Sequence, residues 1–251
     1  MVSLAAIQAA LHRLYIGLPS ASLRQEDEKK AAELAGLLPE IERVLPKAGT
    51  RRAITLVDAA AGKAYVGILV AELVLSPKER TGNVVLIERD AKRAAGCRDA
   101  AARMQAPGVT VAVAETDVAD RSAWPAAPEV VVALHACGPA ADAIADAAIA
   151  CQAKHLLLVP CCTSEKVRGA EVAARRAEAL GIPRHAEVRR RFIQAVVDAE
   201  RTLRLEAAGY ETVVVPFVPP TLTPHNLLWR ARRTVEPGRM AEAAARLRRL
   251  L

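Results

Sequence analysis

The chain has 251 residues, of which 52% are hydrophobic, 25% charged and 3% aromatic, and its formal net charge is +7. That length and apolar content suit one large domain, or a domain with a small appendage, and exclude a chain that is disordered throughout. No Gly-X-Y period, heptad array or repeat of roughly 20–50 residues occurs, which removes fibrous and solenoid classes.

The first 50 residues read as helical. Leu4, Ile7, Leu11 and Leu14 share one helix face, and Leu34, Leu37, Leu38 and Ile41 form the stripe of a second helix over about 26–44, closed by Pro46. Residues 1–11 are apolar but run into His12, Arg13 and a charged helix, so they read as core and not as a signal peptide. From residue 53 the pattern changes. AITLVD (53–58), NVVLIE (83–88), VTVAVA (109–114), EVVVALH (129–135) and KHLLLV (154–159) are continuous apolar runs of strand length, and helical patterns fill 63–75, 90–104 and 139–151. This alternation predicts an α/β fold with a doubly covered parallel sheet and right-handed crossovers. Residues 165–180 and 188–208 then read as two Arg-laden helices. Residues 210–218 and 227–233 read as an antiparallel hairpin at a sheet edge, and 237–251 as a basic amphipathic helix. No apolar run reaches the ~18 residues of a membrane span, so no membrane association is expected.

The positive charge is lopsided. Residues 1–160 hold 18 basic and 18 acidic residues, whereas residues 161–251 hold 17 basic, 16 of them Arg, and 10 acidic. A basic excess favours an anionic partner, nucleic acid being the commonest, although Arg-rich coding produces the same count. The five cysteines, at 97, 137, 151, 161 and 162, form no CxxC pair and match no structural zinc spacing. No metal site is expected, and the expected compartment is a reducing cytoplasm.

In a parallel sheet, ligands collect beyond the C-terminal strand ends. Asp58 ends the first run and is followed by Ala60, Gly62, Lys63 and Tyr65. One glycine fails as a dinucleotide fingerprint, so the segment is either a ligand-binding turn at a helix N-terminus or an ordinary connection. Glu88 ends the second run, where a carboxylate can accept ribose hydroxyls, and Asp117 follows the third, where it serves an adenine amine or a turn. Together the three carboxylates favour a nucleoside carrying positive charge over one carrying phosphates. His135 is either a general base or a strand-end histidine bonded to backbone. Asn226 is either a base-reading amide or a turn residue. The segment 189–191 is three arginines, which suit phosphate, while Glu178 and Glu187 are near enough to neutralise them.

The order D-x-x-x-G, an acidic end to strand two and an Asp after strand three resembles the class I S-adenosylmethionine-dependent methyltransferases. More narrowly, VDAAAGKAYVG, ALHACGPAADAI, LLLVPCC and TPHNLLWRA resemble a subgroup with LH-x-CG and PCC motifs that includes relatives of the tRNA acceptor-stem 2′-O-methyltransferase. The resemblance covers roughly residues 50–235, and Ala60 and Ala64 replace glycines common in the family's first turn. It implies a Rossmann-like, doubly wound sheet of seven strands, the last antiparallel. An N-terminal helical extension (1–50) precedes the methyltransferase domain (51–235), which has an Arg-rich helical insertion around 164–187, and a C-terminal helix (236–251) follows. It implies S-adenosyl-L-methionine as cofactor, held by Asp58, Ala60, Gly62, Lys63, Tyr65, Glu88, Asp117, Val118, Leu134 and His135. Catalytic roles fall on His135, Cys161 and Asn226. Acceptor binding falls on Cys137, Pro160, Cys162, Arg189, Arg190 and Asn226. The implied partner is RNA, with tRNA favoured. A small anionic acceptor under an Arg-rich lid, or a non-catalytic RNA- or protein-binding module, is the alternative.

Overall fold

The computed structural model describes residues 2–17, 22–46, 52–160, 165–185 and 187–250. Seven strands form one sheet: β1 (Ile54–Ala59), β2 (Gly82–Ile87), β3 (Val109–Ala114), β4 (Val130–Ala136), β5 (His155–Pro160), β6 (Tyr210–Pro216) and β7 (Leu227–Arg233). Their spatial order is β3-β2-β1-β4-β5-β7-β6. The first five pair in parallel, and β7 runs antiparallel between β5 and β6. The order reverses between β1 and β4, which marks the ligand-binding crevice of such sheets.

Eight α-helices surround the sheet among the described residues. They are α1 (Leu4–Leu11), α2 (Gln25–Val44), α3 (Tyr65–Leu69), α4 (Ala91–Arg103), α5 (Pro139–Ala150), α6 (Ala170–Ala179), α7 (Glu187–Ala207) and α8 (Pro237–Leu250). α1 and α3 continue as π-helical turns, His12–Ile16 and Val70–Leu75. The helix expected over 63–75 therefore starts at Tyr65 and changes winding at Val70. The helix expected over 165–180 starts only at Ala170. No helix among the described residues is long and apolar enough to cross a membrane.

Side chains alternate across each strand, and that alternation builds two cores. Leu56, Val84, Leu86, Val130 and Val132 point to one face and pack with Ile7, Leu11, Leu14, Leu34, Leu37, Leu38 and Ile41. Val57, Val131, Ala133, Leu156 and Leu158 point to the other and pack with Ile144, Ala145, Leu205 and Trp229. α1 and α2 thus bury their apolar stripes in the same core as β1 and β2.

The Arg-rich third is less of a surface than its charge count suggests. Arg201 is 2% exposed and Glu200 1%. Arg204 bonds Asp142 at 3.0 Å and Glu200 at 3.1 Å and pairs with Asp146. Arg201 lies 3.1 Å from Asp198 and 5.7 Å from the centre of the Trp229 ring. Asp142 also accepts the backbone N–H of Arg168 at 2.9 Å. This ionic cluster clamps α7 to α5, and most of its charged atoms are hydrogen-bonded in place of water, Glu200 Oε2 and Arg201 Nε excepted. Several remaining arginines pair one helical turn away, Arg175 with Glu171, Arg190 with Glu187 and Arg246 with Glu242.

Candidate active site

β1 ends in Asp58, which is 2% exposed and whose Oδ2 accepts the N–H of Gly67 at 2.8 Å. Gly67 is required by proximity, because a Cβ there would lie 2.4 Å from Leu86 Cδ2 and 3.2 Å from Asp58 Oδ2. Burial pushes the Asp58 carboxyl up to about 7; the Gly67 N–H opposes the shift and the Glu88 charge adds to it. Glu88 accepts the N–H of Gly62 at 2.8 Å with one oxygen and that of Asp90 at 2.9 Å with the other. A carboxylate has about four acceptor sites, so capacity for two further donors is left. The Cys97 thiol donates to the Gly62 carbonyl at 3.4 Å, and burial pushes it up to about 11, which makes it a buttress and not a nucleophile.

The turn after β1 is held in left-handed backbone at Ala60 (φ 57°), Gly62 (φ 61°) and Ala64 (φ 60°). An L-residue with a Cβ costs about 1–2 kcal/mol there. The two alanines have different surroundings. Ala60 lines the cavity described below, whereas Ala64 is wholly buried in the core and does not line it, so its methyl does not narrow the cofactor's approach. Ala60→Gly is expected to stabilise the protein by about 0.5–1 kcal/mol, the relief of strain less the extra freedom of unfolded glycine. Ala64→Gly is expected to leave stability nearly unchanged, because a lost buried methyl of about 0.8 kcal/mol cancels the same relief. Urea denaturation of the two variants checks the contrast.

β4 ends at His135, also left-handed (φ 62°), where a bulge shifts the register between Leu134 and Ala136. Bulges re-aim side chains at strand ends. His135 Nε2 lies 2.9 Å from Glu33 of α2, and Lys30, one turn earlier, pairs with the same carboxylate. Burial alone would push the Glu33 carboxyl up, but the hydrogen bonds from His135 and Lys30 outweigh it and hold the group below its ordinary value.

These elements enclose a cavity of about 380 Å³, lined by Asp58, Ala60, Gly62, Lys63, Tyr65, Leu134 and His135, with Glu26, Asp27 and Lys30 from α2 and Arg93 from α4. Its size falls within the ordinary range for small-molecule pockets. Its mixture of carboxylates and cations fits a ligand that carries an amine, a carboxylate and a sulfonium.

Other expected residues lie elsewhere. Glu88 adjoins the cavity only through Gly62. Asp117 is half-exposed beyond β3, bonded to the Ala119 N–H at 2.9 Å and 3.4 Å from Arg89; neither it nor the buried Val118 lines the cavity. Asn226 donates to the Val218 carbonyl at 2.9 Å, closing the β6–β7 hairpin, which is the turn role of the two considered. Arg189 donates to the carbonyls of Ile182 and Ala174 at 3.0 and 3.1 Å, tying α7 to α6, and Arg190 pairs with Glu187. Pro160 is half-buried at the end of β5. Cys137 is disulfide-bonded, so it offers no thiol, while Cys97 and Cys151 are free. Cys161 and Cys162 lie outside the described residues. No group of three or more metal-ligating side chains converges among the described residues.

Three participants escaped the sequence reading. Lys30 and Glu33 sit on the polar edge of a helix that reads as an appendage; the available signal was an acid, Glu33, set directly beside the apolar stripe at Leu34. His225 is the third. Its imidazole is held below its ordinary value by burial first, and then by the charges of His135 and Arg190.

A 3-2-1-4-5-7-6 sheet with one antiparallel strand and an acid-lined crevice at the β1–β4 switch point is the architecture of the class I S-adenosylmethionine-dependent methyltransferases. The chain is similar to a magnesium protoporphyrin IX methyltransferase (ChlM) of Synechocystis PCC 6803 with bound SAH, at 15% identity over 90% of this chain and 93% of that one, TM-score 0.52. It is also similar to a putative class I S-adenosylmethionine-dependent methyltransferase of Listeria monocytogenes, at 10% identity over 99% of this chain and 79% of that one, TM-score 0.53. At such identities the likeness is one of fold. No curated protein matches by sequence. A family model described as a methyltransferase domain matches residues 29–168, more than half of the chain, and the chain belongs to that family: it is an S-adenosylmethionine-dependent methyltransferase.

Proposed function

We propose that the protein methylates RNA, with tRNA the favoured acceptor, as a member of the subgroup marked by the LH-x-CG and PCC motifs. The observation that carries this reading is the cationic edge of the cavity, where Lys63 and Arg93 stand in the wall with no ion pair among the described residues. An anionic, well-hydrated acceptor suits that side, and the net charge of +7 suits a polyanion.

The cofactor supplies an electrophilic methyl group. The chain's task is to hold the acceptor lone pair in line with it at about 3–3.5 Å, with water excluded. Asp58 and the backbone at Gly62 would hold the methionine end, with Lys30 or Lys63 for its carboxylate. Glu88 would hold the ribose with its spare acceptor sites, and the adenine would extend past the cavity to Asp117 and Val118 beyond β3. His135 would take the proton that the acceptor loses, with Glu33 fixing its ring. Because the Asp58 carboxyl is held up near 7, its charge and hence its grip on an amine grow as pH rises through that value.

A second reading keeps a small anionic acceptor. It is favoured by a separate cavity of about 740 Å³ between α6 and α7, roomy enough for a small acceptor, with His185 in a wall whose three arginines already hold internal partners. The deciding experiment incubates the protein with methyl-labelled cofactor and either total cellular RNA or a metabolite extract. Nuclease-sensitive label in RNA supports the first reading. Label only in the extract overturns it in favour of the second.

A further inference from the structure

A chamber of about 820 Å³ adjoins the cofactor cavity and shares Glu26, Asp27, Lys63, Tyr65 and Arg93 with it. It is roofed by Tyr15 and Ile16 at the end of α1's π-helical turn and by Ser22 and Arg24 before α2; Asp90, Lys92 and Gly96 complete its far wall. Four of its side chains are cations: Arg24, Lys63, Lys92 and Arg93. None of the four forms an ion pair among the described residues. Lys63 rests 5.7 Å from the centre of the Tyr65 ring.

Two of the three carboxylates in the wall, Glu26 being the third, are partly committed. Asp27 accepts the Arg24 N–H at 3.3 Å and the Tyr65 hydroxyl at 3.4 Å, and Asp90 accepts the Arg93 N–H at 2.9 Å. The Tyr15 ring packs edge-on against Tyr65, with ring centres 4.6 Å apart, and fixes that wall.

The contrast with the chamber between α6 and α7 is informative. Each of its three arginines is already engaged, Arg184 with Glu178, Arg189 with two carbonyls and Arg190 with Glu187. Arginines so bonded have little left for phosphate. The cations that are available for phosphate and close to the cofactor lie around the N-terminal chamber, within residues 1–160, whose formal charge sums to zero.

We propose that the N-terminal chamber is a phosphate-binding subsite, filled during methyl transfer by backbone phosphates of the RNA acceptor. The proposal rests on the RNA reading above. Lys and Arg serve as its point charge and fork, and Lys63 and Arg93, which line both cavities, set the distance from phosphate to cofactor.

The test uses the full chain with Arg24→Ala and Lys92→Ala combined, since neither residue lines the cofactor cavity. Binding of bulk tRNA is measured across about 50–200 mM salt, and binding of S-adenosylhomocysteine by calorimetry. A control combines Arg175→Ala and Arg246→Ala, two exposed and ion-paired arginines. The double variant is expected to lose about tenfold in tRNA affinity and about two units of salt slope, one per cation, with S-adenosylhomocysteine affinity unchanged. The control is expected to change less than about twofold. Wild-type affinity and slope in the Arg24/Lys92 variant, or an equal loss in the control, overturns the proposal. If the wild type binds no tRNA, the RNA reading fails, and pyrophosphate becomes the probe. Pyrophosphate binding that the double variant loses keeps the subsite for a smaller phosphate-bearing acceptor, and no binding overturns the subsite as well.

Discussion

Asp58→Asn is expected to make the protein more stable at pH 8 and unable to hold its cofactor well. The amide keeps an oxygen to accept the Gly67 N–H, so the bond at 2.8 Å survives the change. What disappears is a charge buried at 2% exposure. The folded carboxyl titrates near 7 and the unfolded one near its ordinary 3.8. Between those values the folded state binds the proton and the unfolded state does not, so stability falls as pH rises from about 4 to 7 and stays low above that. This is the opposite of a salt-bridged carboxylate, whose contribution is lost in acid. The shift corresponds to roughly 4 kcal/mol at pH 8, or about 8–16 °C in Tm for a chain of this size, and to almost nothing near pH 4. Thermal melts of wild type and variant across pH 4–8 should converge at the acid end and diverge at the alkaline end. Parallel curves would mean that the carboxyl is not held neutral. S-Adenosylhomocysteine affinity at pH 8 is expected to fall about 10–100-fold, the worth of one charged hydrogen bond.

His135→Ala is expected to lower kcat about 10²–10⁴-fold, the range for loss of a positioned general base. Glu33→Gln is expected to cost about 10–100-fold in kcat, as outer partners of functional histidines do, with S-adenosylhomocysteine affinity within twofold of wild type. Glu33 does not line the cofactor cavity, so a merely structural role would disturb binding and turnover together, whereas a positioning role leaves binding intact. Asp at position 33 reaches less far and should not rescue. Rates measured with labelled cofactor and the acceptor pool that takes label decide the point. An unchanged kcat in His135→Ala would remove the histidine from the mechanism.

Much of the sheet was legible because parallel strands buried on both faces must be apolar along their whole length. The runs beginning at Ile54, Gly82, Val109, Val130 and His155 all have this character. The acidic strand ends were legible for the same reason: Asp58 and Glu88 interrupt apolar runs at the point where a parallel sheet opens to ligand. The contact between Glu33 and His135 was not, because its partners are 102 residues apart and nothing local announces it. Nor does a charge count say which way an arginine faces. Arg201 and Arg204 occupy the buried side of α7 and satisfy Asp142, whereas Arg175 and Arg246 do nothing more than neutralise a neighbour. Asn226 shows the same limit in reverse, since an amide that suits a base edge suits a hairpin carbonyl equally well.

The layering of α2 on the sheet also sets a timetable for synthesis. Its apolar stripe leaves the ribosome about 90 residues ahead of β4, whose Val130 and Val132 share that core, and nearly 200 ahead of Leu228 on β7. At roughly 5–20 residues per second, the stripe waits about 5–20 seconds for β4 and up to about 40 for β7. During that interval Leu34, Leu37, Leu38 and Ile41 have only the β1 and β2 part of their core, Leu56, Val84 and Leu86, to cover, so nascent chains stalled before residue 130 should be the species that chaperones hold. The helix that walls the candidate site is thus made before every strand of the core it joins.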